Sequence, residues 1–450
     1  MHIQDVHYTP IDEFELVERM QEVTRYQRLC SEYGVRGDGM EVFEALKHDI
    51  GKALDRYQAI VTSAVDPDEP DDLESVLALR PEGPRKLTDG VPAGYAERLR
   101  GAFYGRMAGC TLGAALEFES VDAMKDWAEY FGDKYPLEDY WSRIKNPTDP
   151  HYIVGKKIDL TRGHMDAVPP DDDTIYTLLG LLTMEQYGPD FTQEDMAEIW
   201  KRYLPLGPAG GARGLRGCWW GERKMLTNLL DGMKLPEAGL YRNPNLQNIA
   251  AWTRADSFGY ACPGNPEMAA KLAWKDASAN HRRNGVYGSM FMAATIAAAF
   301  AVDDPMEAVR IGLTEIPKDC LFAEGIRWAL EQKCANYREA SDAVWARYAG
   351  MFNGSALTNA LHVVMGLAIG GRDYTRVIGE TVAMSGDNDC TGATAGSICG
   401  AVIGLKAIPK QWVRPFNGRM HIYLNEHPEY LPLEDVCNRF ERLAEKFSGR

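Results

Sequence analysis

The sequence predicts an all-α protein, and three observations carry that expectation. Apolar residues recur at helical spacing along much of the 450-residue chain. Strand-like alternation is scarce, and no strand–helix–strand rhythm appears. Two stripes of glycine at a spacing of four residues, Gly101, Gly105, Gly109, Gly113 and Gly392, Gly396, Gly400, Gly404, each lie along one face of a helix. Each helical glycine costs roughly 0.5–1 kcal/mol against alanine, so two such stripes call for a close partner, and each is expected to be the other's.

Taken in order, residues 1 to about 64 read as helical and mixed in charge, with Phe14, Leu16, Val17 and Met20 on an i, i+3, i+4 pattern. Asp66-Pro67-Asp68-Glu69-Pro70-Asp71-Asp72-Leu73-Glu74 reads as an acidic, proline-broken linker, prolonged by Arg80-Pro81-Glu82-Gly83-Pro84. Residues 1–90 are therefore expected to be a helical extension and linker, and 91–450 the main domain. The first glycine helix follows, with Glu117 one further step of four along. Long loops rich in Gly, Pro and aromatics are expected at 130–168 and 205–265. Between them, Pro169-Pro170-Asp171-Asp172-Asp173-Thr174 precedes the apolar run Ile175–Leu182, the pattern of a helix start. Further helices are expected at Ser289–Val302, Asn359–Ile369 and Leu433–Phe447. Ser385-Gly386-Asp387-Asn388-Asp389-Cys390-Thr391-Gly392 opens the second glycine helix. Pairing the stripes would bring Glu117 near Asp387 and Asp389.

Composition narrows the function classes. The net charge of −16 argues against a general binder of nucleic-acid backbones. The nine cysteines are odd in number, scattered and never spaced as CxxC, which suits a reducing compartment. Met1-His2-Ile3-Gln4-Asp5 is no basic and apolar signal segment, and the apolar stretch Met290–Val302 is short of the roughly 20 residues of a membrane span. A soluble, cytoplasmic protein with no membrane partner is expected, its oligomeric state left open.

The acids carry the chemistry. Asp387 and Asp389 would serve an ordinary helix cap equally well. An EF-hand is excluded, because its twelfth position would be Ile398 where a bidentate glutamate is required. Asp171-Asp172-Asp173 would by itself be a solvated acidic run. Bound to metal, such oxygen-rich sets favour Mg²⁺, Mn²⁺ or Ca²⁺ over zinc. No HxH or HExxH occurs, and His2, His7, His48, His151 and His164 sit in apparent surface contexts. Gly207-Pro208-Ala209-Gly210-Gly211-Ala212-Arg213-Gly214-Leu215-Arg216-Gly217 reads as a flexible loop or a phosphate cradle. Trp219 and Trp220 suit either base stacking or a core.

Together, Gly109-Cys110-Thr111-Leu112-Gly113-Ala114-Ala115-Leu116-Glu117, Asp171-Asp172-Asp173-Thr174 and Gly386-Asp387-Asn388-Asp389 resemble the motifs of the ADP-ribosylglycohydrolase family in order and separation. Arg254-Ala255-Asp256-Ser257-Phe258-Gly259 and Ala277-Ser278-Ala279-Asn280-His281 also match, and the resemblance covers residues 95 to 415. It implies a compact multi-helix domain with a centre of two metal ions, Mg²⁺ or Mn²⁺, in a cleft for ADP-ribose. By position, Asp171, Asp172, Asp173, Asp387 and Asp389 would be metal ligands. Glu117, Asp172 and Asp387 would act in catalysis, and Glu117, Asp256, Ser257, Gly259 and His281 would line the substrate. Asp171 stands where many relatives have threonine, Cys390 where they often have threonine, and Cys110 where many have aspartate. A soft sulfur at Cys390 matches hard cations poorly, so a small packing residue, or one that leaves room for a water, is expected there rather than a ligand. The implied activity is metal-dependent hydrolysis of a glycosidic bond to ADP-ribose, on an ADP-ribosylated protein or a small derivative. The alternatives are a hydrolase of a free nucleoside or small N-glycoside, and a non-catalytic ADP-ribose-binding relative.

Overall fold

A computed structural model describes residues 19–23, 36–206 and 218–448. Most of the extension's first predicted helix and the Gly207–Gly217 run lie outside the described residues. The chain divides into two compact units at Pro67/Asp68. In the first, Arg36–Ser63 is a single long helix that exposes Val42, Tyr57, Ile60 and Val61.

The second unit is helical apart from one antiparallel ribbon, in which Met420 pairs with Leu431. Residues 68–90, read above as linker, pack within this unit. Glu69 is buried and accepts from the Leu321 amide at 3.0 Å, and Arg85 pairs with the buried Glu315 at 2.9 Å. No helix among the described residues is long and apolar enough to cross a membrane.

Two glycine helices run through the centre, Tyr95–Ala114 and Asn388–Ile403. A methyl group on Gly101, Gly105, Gly109 or Gly113 would overlap the backbone carbonyl of Gly400, Gly396, Gly392 or Asn388 respectively. The pairing is therefore antiparallel and in register over the whole contact, as the stripes require. Gly404 lies past the end of its helix at φ 77°, the left-handed conformation of a terminator. The predicted apolar helices form as Asn284–Ala299, buried at every position, as Ala356–Gly370 and as Leu433–Ser448. The 205–265 segment is less loop-like than expected, since it contains Trp220–Leu230 and Asp256–Ala261. These short helices are held by tertiary contacts such as Asn228 to the Ala238 carbonyl at 2.7 Å, which periodicity does not report.

Candidate metal centre and active-site cleft

Three segments meet where the two glycine helices end. Asp171 caps the helix Asp172–Tyr187, its side chain accepting from the Asp173 amide at 3.0 Å. The first turn of the same helix thus carries Asp172 and Asp173, acids favoured by the positive end of the helix dipole. Asp387 caps the second glycine helix from a tight corner in which Ser385 and Gly386 both have positive φ. That corner is pinned by Asn359, whose Oδ1 accepts from the Asp387 amide at 3.0 Å. A Cβ on Gly386 would come within 2.7 Å of the same Asn359 oxygen, so only glycine fits.

Glu117 follows the first glycine helix and is held from both sides by Asn388. Asn388 Oδ1 accepts from the Phe118 amide at 3.2 Å, and its Nδ2 donates to the Leu116 carbonyl at 3.4 Å. This bracket presents Glu117 to Asp387 and Asp389, with carboxylate oxygens of all three within 4.8 Å of one another. Glu117 is reached by solvent while the two aspartates are 3% exposed, which places it on the open side of the cluster.

The acids have few cations to answer them. Arg106, fully buried, pairs with Asp256 at 2.8 Å and lies 3.4 Å from Asp173. Buried oxygens of Asp171, Asp173 and Asp387 have no hydrogen-bond partner. Burial, and then the neighbouring carboxylates, push the carboxyls of Asp171, Asp173 and Asp387 well up. Glu117 is an exposed residue, but its carboxyl is turned inward to the acids, and that enclosure followed by Asp389 and Asp387 raises it too. Burial also raises Asp389, and raises Asp172 to about 7 against the hydrogen bond from the Tyr152 hydroxyl. A concentration of carboxylates with unpartnered buried oxygens is what a hard divalent cation would complete, so the donor set fits one.

A pH dependence follows. These carboxyls have folded pKa values above their unfolded ones, so the folded state binds more protons in the window between, which for Asp172 runs from 3.8 to about 7. Their contribution is complete at acid pH and is lost as they ionise. Bound cations would offset the repulsion, so the rise in Tm on adding Mg²⁺ or Mn²⁺ is expected to grow from about pH 5 to about pH 8. Differential scanning fluorimetry measures it, and an increment that shrinks with pH would contradict a cation site here.

The remaining predicted positions lie deeper. Asp256 is fully buried against Arg106 and accepts from Tyr260 at 3.1 Å. Ser257 donates to the Arg254 carbonyl at 2.9 Å, and Gly259 packs on Ile296. His281 is enclosed between Asn280 at 2.9 Å and Asn248 at 2.7 Å, and burial with Arg254 keeps it neutral. All four are buried and contact protein neighbours. His151, expected at the surface, is largely buried instead, 3.8 Å from Asp171.

Tyr152, the partner of Asp172, sits among aromatic side chains. The Tyr152 ring stacks on Tyr423 at 5.9 Å and lies 6.4 Å from Trp219. Trp220 meets Phe352 edge-on at 5.2 Å. Trp219, Trp220 and Phe352 are 44%, 38% and 50% exposed, so the tryptophan pair belongs to the surface. Sequence reasoning missed Arg106, Tyr152 and Asn359. A signal existed for Arg106, a charge one residue from a glycine stripe, but none for Tyr152 in its loop.

Among curated proteins none matches the sequence. A solved structure of an ADP-ribosylglycohydrolase-related protein complex shares the fold, with a TM-score of 0.50 and 19% identity over 79% of this chain and 99% of that one. The ADP-ribosylglycohydrolase family model matches residues 91–447, the span that holds both glycine helices and every acid of the centre. The chain belongs to the ADP-ribosylglycohydrolase family.

Proposed function

We propose that this protein is a metal-dependent hydrolase of a glycosidic bond to ADP-ribose, carried by an ADP-ribosylated protein or a small derivative. The observation that carries the reading is the clustering of Glu117, Asp171, Asp173, Asp387 and Asp389 in overlapping groups, with buried oxygens left unpartnered. Two Mg²⁺ or Mn²⁺ ions held by Asp171, Asp172, Asp173, Asp387 and Asp389 would supply positive charge that acidifies water and clamps ribose hydroxyls.

The chain's own residues do the rest. Glu117, on the solvent side and facing Asp387 and Asp389, orients the attacking water and accepts its proton. The Tyr152 hydroxyl holds the Asp172 carboxylate in one orientation. The partly exposed rings of Trp219, Trp220 and Phe352 offer flat faces to a base, each stacking contact worth about 1–3 kcal/mol. Departure of the leaving group passes through an oxocarbenium-like state, which the surrounding carboxylates stabilise. Residues 1–90 remain outside this assignment, and cytoplasmic residence is part of the proposal; the described cysteines are all unpaired.

Incubation with mono-ADP-ribosylated protein and Mg²⁺ or Mn²⁺ should release free ADP-ribose, read by mass spectrometry, and a chelator should stop it. Turnover of free nucleosides with no release from the protein substrate would instead favour the small N-glycoside reading. Tight ADP-ribose binding without hydrolysis under any cation would make it a non-catalytic relative.

A further inference from the structure

The donors of this centre form a graded series. The outer group, Glu117, Asp387 and Asp389, is all oxygen. A second group is Asp173, Asp389 and Cys390, and a third is Cys110, Asp171 and Asp173, each with its donor atoms within 4.8 Å of one another. Asp173 is common to the two groups that contain sulfur. The thiols are buried, Cys110 at 1% and Cys390 at 7% exposure, and come from the two glycine helices facing each other. The free oxygens of Asp171 and Asp173, on side chains only 2% and 1% exposed, have no hydrogen-bond partner.

We infer that Cys110 and Cys390 are sulfur donors to cations at the buried side of this centre, and that they move its preference from Mg²⁺ toward borderline cations such as Co²⁺, Fe²⁺ and Zn²⁺. The inference rests on the reading of these acids as a cation centre. Oxygen-only sets suit Mg²⁺, whereas a thiolate added to two carboxylates raises affinity for later divalent metals far more than for Mg²⁺. Arg106 opposes a cation beside Asp173, but its shorter ion pair is with Asp256, at 2.8 Å against 3.4 Å. That leaves one oxygen of Asp173 without a partner. On binding, each cysteine becomes a thiolate and its proton passes to solvent, with no change of oxidation state. The packing role expected for Cys390 from sequence is the competing account, and it predicts no sulfur–metal bond.

Cobalt(II) titrated into the metal-free full-length protein separates the two. A thiolate-to-cobalt charge-transfer band in the near ultraviolet is expected, absent from any oxygen-only site. The band should fall by about half in Cys110→Ser and in Cys390→Ser, and vanish in the double variant while equilibrium dialysis still finds cobalt bound. Cys320→Ser, at the start of the helix Leu321–Glu331, should leave it unchanged. In competition, Co²⁺ should displace Mg²⁺ from the wild type about ten-fold or more better than from the double variant. Bound cobalt without the band in the wild type, or a band that survives the double substitution, overturns the inference and leaves the cation centre standing. If dialysis finds no Co²⁺, Mg²⁺ or Mn²⁺ bound at all, the centre itself fails and the inference with it.

Discussion

Asp387→Ala should abolish turnover and cation binding at the outer group of Glu117, Asp387 and Asp389 while leaving the metal-free fold intact. Asp387 shares its oxygens with Glu117 and Asp389, and one of them is buried with no protein partner. Losing even an outer-shell partner of a metal costs about 10–100-fold in affinity, so loss of a direct ligand should exceed about 10²-fold. The rate should fall by about 10³-fold or more, because the cation that acidifies the attacking water and clamps the ribose hydroxyls is lost. Stability distinguishes this from simple unfolding. The Asp387 backbone amide still donates to Asn359 in the variant, and one carboxylate leaves a cluster whose members repel. The metal-free Tm should therefore hold or rise, while the increment on adding Mg²⁺ shrinks. Calorimetric titration together with a turnover assay reads both, and a fully active Asp387→Ala protein would end the proposed role.

Gly109→Ala should be strongly destabilising for a change of one carbon. The new methyl would overlap the carbonyl of Gly392, which is backbone within a buried helix and has no rotamer to escape into. Overpacking a tight interior costs about 1–3 kcal/mol and sometimes more. The helical preference of alanine over glycine returns only about 0.5–1 kcal/mol. A net loss of about 1–2 kcal/mol is expected, visible as a lower denaturant midpoint. The function should suffer as well, because the same helix pair ends at Gly113 against Asn388, the residue that brackets Glu117. Gly90→Ala is the matched control: nothing lies within 4 Å of the added carbon and its φ is ordinary. Its effect should stay within about 0.5 kcal/mol. Equal stability of the two variants would refute the close approach of the helices.

Much of the centre was legible before folding because its signals are local. Prolines followed by acids mark the start of the Asp172 helix, and a glycine every fourth residue makes a smooth face whatever the rest of the chain does. Two such faces on one chain are self-complementary, so the meeting of Glu117 with Asp387 and Asp389 could be read off the spacing alone. The same reasoning ran out at Asp256, Ser257, Gly259 and His281. A motif reports which residues are near in sequence, whereas the burial of Asp256 depends on Arg106, and that of the Asn280-His281 pair on Arg254, each reaching across from a distant segment.

The opposite failure befell Tyr152, which sits in a loop with no periodicity and reaches Asp172 only through the folded path of that loop. Cys390 shows the limit most clearly. From sequence its sulfur was judged by hardness alone and set aside as packing, but the fold places it beside Asp173 and Asp389. The linear order of residues determined the helices, their glycine contact and the acids at its mouth, because each follows from a repeat of a few residues along one backbone. Which side chains surround those acids, and which are spent on the interior, was decided only by tertiary structure, because burial and ion pairing join residues that are distant along the chain.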